Sequence, residues 1–149
     1  MKIIGIDPGE TTGVCVWRYP QEQHSVVPLR MDSFDLQTLE LPLWKGLDKL
    51  LVDQQPDIVV YENFRLFSHK ANQKKWSEFP TVQTIGVIKY LCDLHNIKLV
   101  KQSPKDKALY SDKRLKELNL YDKRSPHERD AIRHALFWAT KSFDREDVI

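Results

Sequence analysis

The 149-residue chain holds only two cysteines, Cys15 and Cys92, too few for a disulfide framework and not at the C-x-x-C spacing of a metal-ligand pair. No stretch approaches the roughly 18 consecutive apolar residues of a membrane span. The opening Met1-Lys2-Ile3-Ile4-Gly5-Ile6-Asp7 meets an acid before a signal-peptide core can form. Internal repeats and low-complexity segments are missing as well. These absences point to a reduced, soluble, cytoplasmic protein (host cytoplasm if its source is viral) with no membrane partner. What is present, 41% hydrophobic and 30% charged residues, supplies one core over residues 1–149 as a single domain. That length does not furnish the two lobes of a kinase-like ATP site.

The formal net charge of +2 hides an asymmetry. Residues 1–61 carry 5 Lys/Arg against 9 Asp/Glu, net −4, whereas residues 62–149 carry 18 against 12, net +6. Within 65–124 the count is 14 basic to 6 acidic, net +8, which fits a polyanionic partner as well as a solvated lysine-rich surface.

Apolar runs and breakers predict the order β-β-β-α-β-α-β-α-α. Residues 2–7 read as a buried strand, followed by the turn Pro8-Gly9-Glu10-Thr11-Thr12-Gly13 and a second strand over Val14–Trp17. A third strand is expected around Val26–Phe34, with Pro28 marking it as an edge. Leucines from Leu36 to Leu51 recur at helical spacing, with Pro42 near the helix start or at a kink. Asp57–Tyr61 reads as a strand ending in Glu62, and residues 63–80 as a long loop or helical insertion mixing aromatics with bases. A helix follows Pro80, then a strand over Ile97–Val100, then a basic helix from Pro104 to about Leu118. Ser125-Pro126-His127-Glu128 opens the last helix, with Ser125 as N-cap and Glu128 completing a capping box. Three consecutive strands followed by alternation imply a mixed α/β sheet flanked by helices.

In that layout the first strand and the strand ending at Glu62 are parallel neighbours near the centre. Their C-terminal ends present Asp7 and Glu62 side by side, where open α/β sheets place ligands. Asp7 alone also reads as a cap on its own turn. His127 and Asp130, three apart, share one helical face that His134 continues, with Ile132, Leu136, Ala139 and Phe143 opposite. Asp130 alone also reads as a partner of Arg129 or Arg133.

Ile4-Gly5-Ile6-Asp7-Pro8-Gly9 with Thr12-Gly13 resembles the opening motif of the RuvC family of Holliday-junction resolvases. The resemblance continues at Ile58–Glu62, at Ser103-Pro104-Lys105-Asp106-Lys107, and at His127-Glu128-Arg129-Asp130-Ala131 with His134-Ala135. It implies an RNase H-like fold: a mixed five-stranded sheet, its first three strands antiparallel and the rest parallel. It also implies a nuclease in which Asp7, Glu62, His127 and Asp130 are catalytic and bind metal. Lys107 matches a lysine near the scissile phosphate, and Thr81–Gly86 the start of the helix after a DNA-contacting loop. The expected cofactor is Mg²⁺, two ions roughly 3.5–4 Å apart, with Mn²⁺ as substitute because imidazole favours softer metals. No organic cofactor is expected. A ligating His127 must be neutral, so activity should fall as pH drops.

Phosphate contacts are expected from Lys70, Lys74, Lys75, Lys105, Lys107, Lys113 and Arg114. Phe64 and Phe67 are candidates to enter a branch point, with ordinary packing as the alternative use of each. The resemblance further implies a homodimer that makes paired nicks in branched DNA, with the apolar face of the 82–95 helix as interface. A YqgF-type nuclease acting on RNA and a non-cleaving binding module are the competing readings.

Overall fold

The computed structural model describes residues 1–19, 30–36, 43–64, 80–121, 123 and 125–146; for 30–36, 43 and 143–146 it describes backbone alone. Its elements are β1 (Lys2–Asp7), β2 (Thr12–Arg18), β3 (Arg30–Leu36), α1 (Leu43–Gln54), β4 (Ile58–Glu62), α2 (Pro80–Leu94), β5 (Lys98–Gln102), α3 (Asp112–Glu117) and α4 (Pro126–Glu146). A 3₁₀ turn at Asp106–Leu109 lies between β5 and α3.

The five strands form one sheet in the order β3-β2-β1-β4-β5. β1 pairs antiparallel with β2 and parallel with β4; β2–β3 is antiparallel and β4–β5 parallel. The expected mixed sheet is therefore observed, with β3 at an edge. Strand side chains alternate between faces. On one face Ile3, Cys15, Trp17, Ile58 and Val60 pack beneath Ala131, Ile132, Ala135, Leu136 and Ala139 of α4. On the other, Ile4, Ile6, Val14, Val16, Val59 and Tyr61 pack against α1 and α2 through residues such as Leu47, Leu51, Ile85 and Ile88. The same alternation sends Asp7 to the α4 face with Ile3, and Glu62 to that face with Ile58 and Val60. Register Ile6↔Tyr61 leaves the two acids at neighbouring strand ends.

α4 can lie close to the sheet because two sheet positions have no side chain. A Cβ on Gly5 would collide with the carbonyl of Ala131, and one on Gly13 with the carbonyl of His127. Gly13→Ala should therefore destabilise the protein by about 1–3 kcal/mol, the usual cost of overpacking. Gly86→Ala, where an added Cβ meets nothing within 4 Å on helix α2, should stabilise it by about 0.5–1 kcal/mol. Urea unfolding of the two variants checks the opposite signs.

The third strand is described over Arg30–Leu36, overlapping its expected span at 30–34, and helix α1 begins at Leu43, next to Pro42 as expected. Two expectations are corrected. The basic helix from Pro104 to Leu118 is broken: the Asp106 carboxylate accepts from the Ser103 amide at 2.9 Å, closing a tight turn. Ser111 then caps a fresh six-residue helix, its Oγ accepting from the Arg114 amide at 3.2 Å. On α4 the apolar stripe adjoins the His127–Asp130 face, because Ala131 and His134 are both buried. Residues 65–79 and the last three lie outside the described residues. Among the described residues no helix is long and apolar enough to cross a membrane.

Candidate active site

Asp7, Glu62 and Asp130, from β1, β4 and α4, each bring a carboxylate oxygen to a common point, the three lying within 4.8 Å of one another. Like charges at that spacing repel unless a cation joins them. Lys107, on the 3₁₀ turn, supplies one: its Nζ lies 2.8 Å from Glu62 Oε2 and 2.8 Å from Asp130 Oδ2. Asp130 Oδ1 accepts from Arg133 Nη1 at 2.6 Å, while Arg133 Nε donates to the Tyr110 carbonyl at 2.7 Å. Arg133 also pairs with Asp112, which ties α4 to α3.

His127 meets Asp7 instead of Asp130. Its Nδ1 lies 3.0 Å from Asp7 Oδ2, and because a carboxylate only accepts, Nδ1 carries the proton. The first turn holding it is capped by Ser125 Oγ, which accepts from the His127 amide at 3.2 Å. In the neutral ring this leaves the Nε2 lone pair available to a ligand or a water.

Two more groups complete the site: His134, which the sequence places on the His127–Asp130 face without a role, and Gln102, which it does not single out. His134 Nε2 lies 2.7 Å from Glu62 Oε2, and its Nδ1 lies 2.7 Å from Oε1 of Gln102, the last residue of β5. The available signal was the i, i+4 spacing of Asp130 and His134; for Gln102 it was strand alternation from Val100.

The carboxylates differ in their electrostatics. Burial pushes Asp7 up to about 6, with Glu62 and Asp130 adding to the rise and the His127 hydrogen bond opposing it. Burial acts in the same sense on Glu62, but hydrogen bonds from His134 and Lys107 outweigh it and hold that acid below its usual range. Asp130 is likewise lowered: burial is outweighed by Lys107 and Arg133. For Lys107, burial opposes the charge while Asp130 and Glu62 prevail and raise its pKa.

A raised acid stabilises the fold while protonated, fully below its unfolded value near 3.8, and that stability is lost as pH rises through about 6. Asp7→Asn removes the charge yet keeps an acceptor for His127. The variant should match the wild type below pH 4 and exceed it at pH 8 by about 2–3 kcal/mol, since each pKa unit is worth about 1.4 kcal/mol. Unfolding curves across pH check this.

The three carboxylates form a hard-oxygen set that fits a divalent cation of the Mg²⁺ class. The stand-in is visible: a lysine ammonium already bridges two of them. A shallow open groove leads from Asp130 and Lys107 past Tyr110 and Ser111. Lys105 and Lys113 are exposed beside it, and Arg114 is engaged with Glu117 at 3.1 Å. Phe64 is half-buried against the core face beneath α1 and α2. Phe67, Lys70, Lys74 and Lys75 lie outside the described residues.

No protein-family model and no curated protein sequence matches the chain. Solved structures do resemble it. Thermus thermophilus RuvC in complex with a Holliday junction substrate superposes with a TM-score of 0.65 at 16% identity, over 95% of each chain. Fowlpox virus resolvase with its substrate Holliday junction DNA gives 0.61 at 16% identity, over 93% of this chain and 99% of that one. The yeast mitochondrial Holliday junction resolvase Ydc2 gives 0.59 at 15%, over 96% and 82%. The fold expected from the short sequence motifs is thus the observed one, and the chain has a RuvC-like fold.

Proposed function

We propose that this protein is a metal-dependent, structure-selective endodeoxyribonuclease that cuts four-way (Holliday) or other branched DNA, nicking paired strands as a homodimer. The observation that carries the reading is the convergence of Asp7, Glu62 and Asp130 at the C-terminal ends of two central parallel strands and on the helix packed over them. The likeness in fold between this chain and proteins solved with junction DNA supports branched DNA as the substrate class.

Mg²⁺, as a pair of ions with Mn²⁺ substituting, would be held by Asp7, Glu62 and Asp130 and would supply the Lewis acidity that activates water and neutralises charge at phosphorus. The chain's own residues do the rest. Asp7 fixes the His127 tautomer, so that Nε2 can accept a proton from the attacking water or ligate a cation. Arg133 orients Asp130 from the side away from Lys107. Lys107 leaves its two carboxylates to meet the scissile phosphate. Lys98 and Lys101 on β5, and Lys105 and Lys113 beyond it, are exposed and supply cations for a sugar-phosphate backbone. For self-association, α2 offers Val82, Tyr90 and Leu94, all exposed.

Gel assays with synthetic four-way, flapped and linear DNA, and with RNA duplex, in Mg²⁺ and in Mn²⁺, test the proposal. Paired nicks near the branch point of four-way or flapped DNA are expected. Cleavage of RNA with branched DNA left intact would replace it by the RNA reading, and binding without cutting by the non-cleaving module.

A further inference from the structure

We propose that His134, braced by Gln102, is a positioning residue that sets which oxygen of Glu62 is offered to a divalent cation; this rests on the metal-dependent reading above. His134 is 0% exposed and sits on α4 among Ala131, Ile132, Ala135 and Leu136, all equally buried. An imidazole at such a place is costly unless its polar atoms are satisfied. Both are: Nε2 faces Glu62 Oε2 and Nδ1 faces Gln102, each at 2.7 Å. Glu62 can only accept, so Nε2 donates to it; the Gln102 amide, itself 6% exposed, can present oxygen or NH₂ as Nδ1 requires. The chain of contacts joins the ends of β4 and β5 to α4.

The consequence lies in the carboxylate. Two N–H donors, from His134 and Lys107, converge on Oε2. When Lys107 departs for a phosphate, His134 still holds Oε2 and the plane of the carboxylate. Oε1, which has no donor among the described residues, is left for the cation. Without His134 the Glu62 side chain gains rotamers and either oxygen can turn inward. Partners of this kind, behind a metal ligand, change metal affinity by about 10–100-fold on removal.

Mn²⁺ titration followed by electron paramagnetic resonance reads the affinity without catalysis, with thermal melting and binding of a four-way junction in EDTA as controls. His134→Leu fills the volume without a donor, and His134→Gln places an N–H near the Nε2 position. Gln102→Leu removes the brace alone. The expected result is a 10–100-fold weaker Mn²⁺ affinity for His134→Leu, recovery to within about threefold for His134→Gln, and an intermediate loss for Gln102→Leu. Junction binding in EDTA should be unchanged in all three. Wild-type Mn²⁺ affinity in a folded His134→Leu protein overturns the proposal, as does equal loss in the Leu and Gln variants in step with their melting. If His134→Leu does not fold, Gln102→Leu decides: unchanged affinity overturns the proposal. A wild-type protein that binds no Mn²⁺ overturns the metal reading itself, and the positioning role with it.

Discussion

Asp7→Asn should bind a four-way junction with wild-type affinity and cut it at least about a thousandfold more slowly. The substitution is nearly isosteric and its amide oxygen still accepts from His127, so neither the packing of α4 on Gly13 nor the orientation of the ring has cause to change. What is lost is one negative charge at the point where three carboxylates meet. Lewis-acid stabilisation contributes several kcal/mol to phosphoryl chemistry, and each 1.4 kcal/mol is about a factor of ten in rate. Weakening cation binding at its most buried ligand therefore removes roughly three orders of magnitude or more. Binding should survive, because the affinity for a sugar-phosphate backbone comes from lysines elsewhere on the surface. Single-turnover cleavage beside a gel-shift titration separates the two. Near wild-type cutting by this variant would remove Asp7 from the chemistry, and a parallel loss of binding would mean that the variant is misfolded. Unfolding at pH 8 offers a third check, because the same variant is the one expected to gain stability. Loss of function with gain of stability is the mark of a charge kept in place for chemistry and not for folding.

The parts of this site that strands determine were legible in the sequence. A strand has period two and an apolar run has an end, so Ile3-Ile4-Gly5-Ile6-Asp7 and Ile58-Val59-Val60-Tyr61-Glu62 each place one acid at a defined end and face. Parallel pairing then makes the two neighbours. Helix α4 was legible from its Ser-Pro-x-Glu start, and Asp130 followed from that. The contacts between distant elements were not. Whether His127 turns to Asp130 on its own helix or to Asp7 across the sheet depends on how closely α4 approaches β2, which the missing Cβ of Gly13 sets. The motif resemblance singles out Lys107, but its contacts with Glu62 and Asp130 arise only because the Asp106–Ser103 turn breaks the expected basic helix and points the ammonium at both acids. A fully buried His134 cannot be told from an exposed one by spacing alone, because its burial comes from β4 and β5 together.

Lys107→Met should slow cleavage by about 10²–10³-fold, the usual cost of losing a group that stabilises transition-state charge, while raising the apparent affinity for Mn²⁺. The two effects have opposite signs for one reason. The ammonium lies 2.8 Å from Glu62 Oε2 and 2.8 Å from Asp130 Oδ2, so its charge sits between two of the carboxylates that would hold a divalent cation. That position makes Lys107 an internal competitor for the cation, and although burial opposes its charge, Asp130 and Glu62 prevail and keep it charged. Methionine retains the length of the stem and its packing and deletes the charge, so the carboxylates lose a counter-ion and become better able to take up a metal. The phosphate loses its partner, so the rate falls even when the metal is saturating. Glu62 and Asp130, no longer held low by Lys107, should protonate more readily, and the variant should melt at a lower temperature near neutral pH. The slope of log K against log salt for junction binding should shrink by about 0.9 if one phosphate contact is lost. Cleavage rates over a Mn²⁺ titration, read together with direct Mn²⁺ binding, decide the matter: a half-saturating concentration that moves downward while the plateau drops is the expected pattern. A lysine that only holds the fold together would instead weaken rate, metal affinity and melting temperature in concert.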